Sequence, residues 1–266
     1  MNSIRISITA GEQEQDILIS ELSDLGALGF EQTDELLIAY FPELNFNSYE
    51  INAILKAHSF ETGTIADQNW NEVWENNFQP VLVEDFCLVR AHFHETIPGI
   101  PYDIIITPKM SFGTGHHATT YMMMAQMKEM DFKNRSVFDF GTGTGILAIL
   151  AEKLGAKNVL AIDNDQWSIE NAKENISMNH CSKITLELSA EINSQHFDVI
   201  LANINRNVIL DHITNMYTCL YPGGYLLLSG LLADHEAAII AACTTLQLKL
   251  VRKSKRNNWI SLLFIK

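Results

Sequence analysis

The sequence has no uninterrupted apolar run long enough to cross a membrane. Its longest candidate, residues 225–242, is broken by Asp234, His235 and Glu236, whereas a spanning helix needs about 20 apolar residues. The opening stretch MNSIRISITA also lacks the apolar block of a secretory signal, so a cytoplasmic protein without a membrane partner is expected. Cysteine is sparse. Cys87, Cys181, Cys219 and Cys243 are scattered without paired spacing, which argues for reduced thiols and against disulfides or a zinc site. Positive charge is scarce as well: 18 Lys and Arg stand against 32 Asp and Glu, a formal net charge of -14 that disfavours a nucleic-acid-binding surface. The deficit is steepest before Asn69, where Arg5 and Lys56 face twelve acids between Glu12 and Asp67. Such a segment repels phosphate and could attract a basic protein, although acidity also serves plain solubility.

What is present fits a small domain followed by a larger one, over 266 residues of ordinary apolar content. IRISIT alternates as a half-buried strand, and EQDILISELSDLG has helical spacing ending at Gly26. GFEQTD and ELLIAYFP read as a hairpin, NSYEINAILKAH as a second helix and ETGTIAD as a last short strand. The resulting βαββαβ order is that of a ferredoxin-like α+β domain, residues 1–67. Residues 68–80 form a helix-like connector, with Trp70, Trp74 and Phe78 on one face at steps of four.

The second domain, residues 81–266, starts with two strand-like runs, VLVEDFCLVRAHF and YDIIITP. From Ser136 onward SVFDF, NVLAID, KITLEL, FDVILAN and GYLLLSG alternate with helical stretches, the pattern of an α/β, doubly wound parallel sheet. The closing segment LQLKLVRKSKRNNWISLLFIK reads as strand, polar basic turn, strand. With no helix between, its last strand must run antiparallel to its neighbour.

Chemistry concentrates at two Gly-Thr-Gly loops, in SFGTGHHATT and in VFDFGTGTGIL. The second loop follows a strand and opens a helix, where glycines allow a tight turn and close approach of a ligand. A phosphate loop would need Lys and Ser/Thr where Ile146 and Leu147 stand. A dinucleotide fingerprint would need glycine at Ile146, and no catalytic-loop signature accompanies the kinase-like Asp139-Phe140-Gly141. What remains is Asp-x-Gly-x-Gly-x-Gly, Asp139 to Gly145, with the acid Asp163 ending the next strand. A carboxylate there can accept hydrogen bonds from both ribose hydroxyls, or else cap the following helix together with Asn164 and Asp165.

Asp139 to Gly145, Asp163 and the antiparallel last strand resemble the class I, Rossmann-like methyltransferases that use S-adenosylmethionine. SFGTGHHATT, Ala202-Asn203-Ile204, the Trp70/Trp74 connector and the small first domain are similar, more narrowly, to the bacterial methyltransferases of large-subunit ribosomal protein eleven. The chain departs from that family's usual residues at His116-His117-Ala118, Thr142 and Asn205, none of which removes a group the cofactor needs.

The resemblance implies S-adenosylmethionine contacts from Thr120, Gly141, Asp163 and Asn203, with Asp139 answering the methionine ammonium. Gly143, Phe112 and Gly113 complete the expected cofactor set, and Thr119-Thr120 open the helix YMMMAQMKEM beside the methionine carboxylate. Asn203 is also the expected catalytic residue, gripping the target amine. NINR in place of a double proline and an aromatic points away from amide or base targets and toward an aliphatic amine. His116 and His117 are adjacent and so do not share a helix face, and no metal is expected. The implied substrate is large-subunit ribosomal protein eleven, modified at lysine side chains or the α-amine by a monomer that needs no direct nucleic-acid contact. Two alternatives stay open: a methyltransferase of another protein or small-molecule amine, and a non-catalytic ribosome-assembly module.

Overall fold

The computed structural model describes residues 3–65, 78–107, 115–192 and 194–266. By internal contacts the chain divides into two compact units, Met1–Asn76 and Asn77–Lys266.

In the first unit, strand β1 (Ser3–Thr9) leads to helix α1 (Glu12–Asp24), then β2 (Gly29–Gln32), β3 (Leu36–Pro42), α2 (Ser48–Leu55) and β4 (Phe60–Ile65). The strands form one sheet in the order β2-β3-β1-β4, and every pairing is antiparallel. Ile6 and Ile8 of β1, Leu37 and Phe41 of β3, and Leu18, Leu22, Ile51 and Leu55 of the helices are buried and build the core, with β3 buried from Leu37 through Phe41. Gly26, in the left-handed region at φ 86°, lets the chain leave α1. The Asn47 side chain caps α2 by accepting from the amides of Tyr49 and Glu50.

The second unit starts with β5 (Val81–Val83), β6 (Cys87–Arg90), β7 (Tyr102–Ile105) and α3 (Ala118–Met127). It continues through β8 (Ser136–Phe140), α4 (Ile146–Lys153), β9 (Asn158–Asp163), α5 (Gln166–Met178), β10 (Ile184–Leu188) and β11 (Phe197–Asn203). The remaining elements are α6 (Arg206–Cys219), β12 (Leu220–Leu232), α7 (Glu236–Thr245), β13 (Lys249–Arg256) and β14 (Trp259–Ile265). Seven strands form the main sheet in the order β10-β9-β8-β11-β12-β14-β13. The first five run parallel, and β14 lies antiparallel to both β12 and β13.

Alternate residues of these strands serve two cores. Val137, Val199, Leu201, Leu227 and Leu263 join Met123, Met124 and Ile146–Ala151 in one cluster. Phe138, Phe140, Ile200, Ala202, Leu226 and Leu228 join Ile209, Ile213, Met216, Ile239 and Cys243 in the other. A sheet buried on both faces explains why its strands read as unbroken apolar runs. Chain order reverses between β8 and β11, and ligands of open α/β sheets bind beyond the carboxyl ends of the strands at such a point.

Three local expectations need correcting. VLVEDFCLVRAHF is not one strand: β5 and β6 form a hairpin turned at Glu84, whose φ of 51° lies in the left-handed region, and β7 completes a separate three-stranded sheet. The basic residues of the final segment do not form the turn. They occupy β13, and the turn is Asn257-Asn258, with Asn257 at φ 53°. Strand β13 is a largely exposed edge, where Lys and Arg discourage pairing with another sheet. Helix α3 begins at Ala118, ahead of Thr119. Of the expected connector over 68–80, Trp70 and Trp74 lie outside the described residues, and Phe78 is buried in the second unit's core.

Candidate functional site

Asp139 ends up near the carboxyl end of β8, and only 1% of its surface is exposed. The Thr142 hydroxyl donates to its Oδ2 at 2.6 Å, while Oδ1 is buried without a hydrogen-bond partner. Burial, joined by the negative charge of Asp163 and opposed by the Thr142 hydroxyl and the Ala148 amide, pushes the Asp139 carboxyl up to about 7. A buried acceptor left unsatisfied costs stability, so it marks a position where a ligand donor is wanted.

The turn after β8 explains its glycines. Gly141, Gly143 and Gly145 all take positive φ, at 76°, 54° and 79°. A Cβ on Gly141 would collide with Ile204 Cγ2, and one on Gly145 would come within 3.2 Å of Ala172 Cβ. The amides of Gly141 and Thr142 donate to the Ile162 carbonyl at 3.0 and 2.9 Å, binding the turn to the end of β9.

Asp163, half-buried at the end of β9, accepts the Gly143 amide on Oδ2 at 2.9 Å and the Asp165 amide on Oδ1 at 3.0 Å. Burial is the main cause raising its pKa, aided by the Asp165 charge, with the amides of Gly143, Asp165 and Asn164 pulling the other way. The cap of α5 is instead Asp165, whose side chain accepts from the amides of Trp167 and Ser168. Asp163 therefore belongs to the glycine turn and not to the helix start.

Asn203 closes β11, on the strand next to β8. Its Nδ2 donates to Thr120 Oγ1 at 3.1 Å, which orients the amide and leaves Oδ1 buried without a partner. Thr120 and Thr119 are fully buried in the first turn of α3. His117 caps that helix: its Nδ1 accepts the Thr119 amide at 3.4 Å and lies 2.7 Å from Thr119 Oγ1. Burial lowers the His117 pKa to about 4, so the ring is neutral and can accept at Nδ1. The ring stands edge-on to Trp259 at 4.6 Å, and His116 packs edge-on against Phe78 at 4.8 Å.

Asp139, Gly141, Gly143, Asp163, Thr120 and Asn203 thus converge at one edge of the sheet. Phe112 and Gly113 lie outside the described residues. Reasoning from sequence missed His117 as a cap and an asparagine ladder on α5. Asn179 pairs with the backbone of Ile105, accepting its amide at 3.0 Å and donating to its carbonyl at 2.6 Å. One turn earlier, Asn175 accepts the Thr107 amide at 2.8 Å and donates to the Thr144 carbonyl at 2.8 Å and to Asn171 Oδ1 at 3.1 Å. The spacing of four from Asn171 through Asn175 to Asn179 is the signal that could have revealed it.

The site's chemistry suits a cationic ligand. It offers two buried, unpartnered acceptor oxygens, on Asp139 and Asn203, a glycine turn that admits no side chain at Gly141, and a second carboxylate at Asp163.

The sequence model described as ribosomal protein L11 methyltransferase matches residues 7–266. A curated relative of that name from Porphyromonas gingivalis is 42% identical over 264 residues, 95% of this chain and 91% of its own length. One from Chlorobaculum tepidum is 38% identical over 279 residues, 98% of this chain and 96% of its own. The crystal structure of ribosomal protein L11 methylase from Lactobacillus delbrueckii subsp. bulgaricus superimposes with a TM-score of 0.65 at 29% identity, covering 70% of this chain and 98% of that one. The mixed α/β sheet, the glycine turn and these matches agree: the chain belongs to the ribosomal protein L11 methyltransferase family.

Proposed function

We propose that the protein is an S-adenosylmethionine-dependent N-methyltransferase that modifies amino groups of ribosomal protein L11, at lysine side chains or the α-amine. The observation that carries this reading is the pair of buried, unpartnered oxygens, Asp139 Oδ1 and Asn203 Oδ1, on neighbouring strands at the switch point of the sheet. When bound, the cofactor supplies a methyl group already activated on a sulfonium. Asp139 Oδ1 accepts from its α-ammonium, and Asp163 takes its ribose hydroxyls. Gly141 and Gly143 bring backbone close to it, with Thr120 and the first turn of α3 beside its carboxylate. Phe112 and Gly113 complete the proposed set.

Asn203 Oδ1 also accepts from the target amine, while its Nδ2 donates to the Thr120 hydroxyl. A lysine with a pKa near 10.4 costs about 4–5 kcal/mol to deprotonate at pH 7. Burial disfavours the ammonium and reduces that cost, so desolvation and orientation by Asn203 prepare the nucleophile. We assign no side chain as a general base. The His117 imidazole is engaged with Thr119 in capping α3.

The first unit is proposed as a ferredoxin-like substrate-recognition domain over residues 1–67, joined by a connector over 68–80 to the catalytic domain, 81–266. Support comes from the βαββαβ succession, the strand order β4-β1-β3-β2 and twelve acids against Arg5 and Lys56, a charge balance that would attract a basic protein. We place the reaction in the cytoplasm and assign it to a monomer. Labelled S-adenosylmethionine incubated with unmodified L11 tests the proposal; label must appear on L11 amines and must disappear when the amines are blocked beforehand.

A further inference from the structure

We propose that Thr142 is a positioning residue, whose hydroxyl occupies Asp139 Oδ2 so that Oδ1 alone is presented to the cofactor's ammonium. The inference rests on the cofactor reading above, and it adds a residue that reading does not use. Thr142 is 5% exposed and Asp139 1%, and the 2.6 Å bond between them has the length of a charge-assisted hydroxyl–carboxylate bond. The hydroxyl is held in place from both sides. The Thr142 amide donates to the Ile162 carbonyl at 2.9 Å, and the Thr142 carbonyl accepts the Gly145 amide at 2.9 Å. The turn therefore folds this side chain back over the end of the strand that carries Asp139.

The physical consequence concerns the charge state of the acid. A carboxylate buried this deeply stays ionised only if donors replace the lost water. Thr142 provides one, the Ala148 amide in the first turn of α4 a second, and the ligand ammonium would add another at Oδ1. From the neighbouring strand β9, Asp163 acts against ionisation, while from β11 the site presents the neutral Asn203. Without the hydroxyl, the acid holds its proton to higher pH, and a neutral carboxylic acid no longer pairs with an ammonium.

The test is titration calorimetry with S-adenosylhomocysteine, which keeps the α-ammonium, between about pH 5.5 and 7.5, below the usual α-amine titration near 8. Binding needs the carboxylate, so affinity is retained above the Asp139 pKa of about 7 and falls as pH drops through it. Thr142→Val should move that acid limb to higher pH; a rise of about one pKa unit weakens binding by about fivefold at pH 7, where wild type is half ionised, and by about tenfold at the acid end of the range. Thr142→Ser should keep the wild-type profile, and Thr142→Ala reads the same loss if valine is not accommodated. Asp139→Asn should bind weakly, with no acid limb in this range. If Asp139→Asn is weakened while the Thr142 variants lacking a hydroxyl keep the wild-type limb and affinity, the positioning role is refuted. If Asp139→Asn binds as tightly as wild type, the cofactor reading itself fails.

Discussion

Replacing Asp163 by alanine should weaken S-adenosylmethionine binding while leaving the fold intact. The carboxylate accepts the Gly143 amide at 2.9 Å and the Asp165 amide at 3.0 Å, so it shapes the glycine turn and also offers oxygens to a ribose. Hydrogen bonds to a charged group contribute about 1.5–3 kcal/mol, which corresponds to a roughly 10- to 150-fold rise in Kd. Stability should change by no more than about 1 kcal/mol, because the exposed Asp165 amide regains water and the cost of burying a carboxylate is relieved. For a chain of this size that is a shift of about 2–4 °C in Tm. Asp165→Ala is the paired control. It removes the cap of α5, which accepts from Trp167 and Ser168, and should cost about 1 kcal/mol of stability without altering cofactor affinity. Titration calorimetry and thermal melts on both variants decide the matter. Wild-type affinity in Asp163→Ala together with a marked loss of stability would refute the assignment and make Asp163 a structural residue.

Asn203→Ala should lower kcat by about 10- to 100-fold with a smaller change in cofactor Kd, as expected for one oriented hydrogen bond to the reacting amine; collapse of cofactor binding with normal turnover would contradict this role. Asn175→Ala removes the hydrogen bonds to the Thr107 amide and the Thr144 carbonyl, both in buried residues, and should cost roughly 2–5 kcal/mol in denaturant unfolding. Asn175→Asp keeps the acceptor but sets a buried carboxylate oxygen against the Thr144 carbonyl and should destabilise at least as much as alanine, whereas a loss below about 1 kcal/mol in the alanine variant would show that water replaces the ladder. Residues 77–266 expressed alone should bind S-adenosylhomocysteine normally yet methylate L11 with a raised KM, and association of the full chain should slow as added salt shortens the Debye length from about 10 to 3 Å. Equal efficiency of the shortened and full chains would remove the acidic unit from substrate recognition.

Much of the main sheet was legible because its strands are buried on both faces, and NVLAID and FDVILAN stand out between helical stretches. The β5–β6 hairpin was hidden because its turn uses Glu84 and Asp85, without the glycine that usually announces one. In the final segment, polarity misled. An edge strand can carry polar residues on both sides, so the basic stretch RKSKR reads as a turn although it pairs with β14. The strands bearing Asp139, Asp163 and Asn203 could be read locally, since each acid or amide lies at or near the end of an apolar run. What each side chain touches could not. Whether Asp163 or Asp165 caps α5 depends on the direction of one turn, and the partners of Asn175 and Asn179 lie about seventy residues earlier in the chain. His117 as a cap was obscured because Thr119 and Thr120 are the more familiar helix-starting residues.

The most direct measurement is methyl transfer to purified L11 lacking prior modification, with S-adenosylmethionine as donor and peptide mass mapping as readout. The proposed function predicts methyl-sized mass increments on lysine side chains or the α-amine, appearing about 10- to 100-fold more slowly in Asn203→Ala and weakened at limiting cofactor in Asp163→Ala. Unmodified L11 after incubation with enzyme that demonstrably binds the cofactor, or methyl groups found only on atoms other than amine nitrogens, would contradict it.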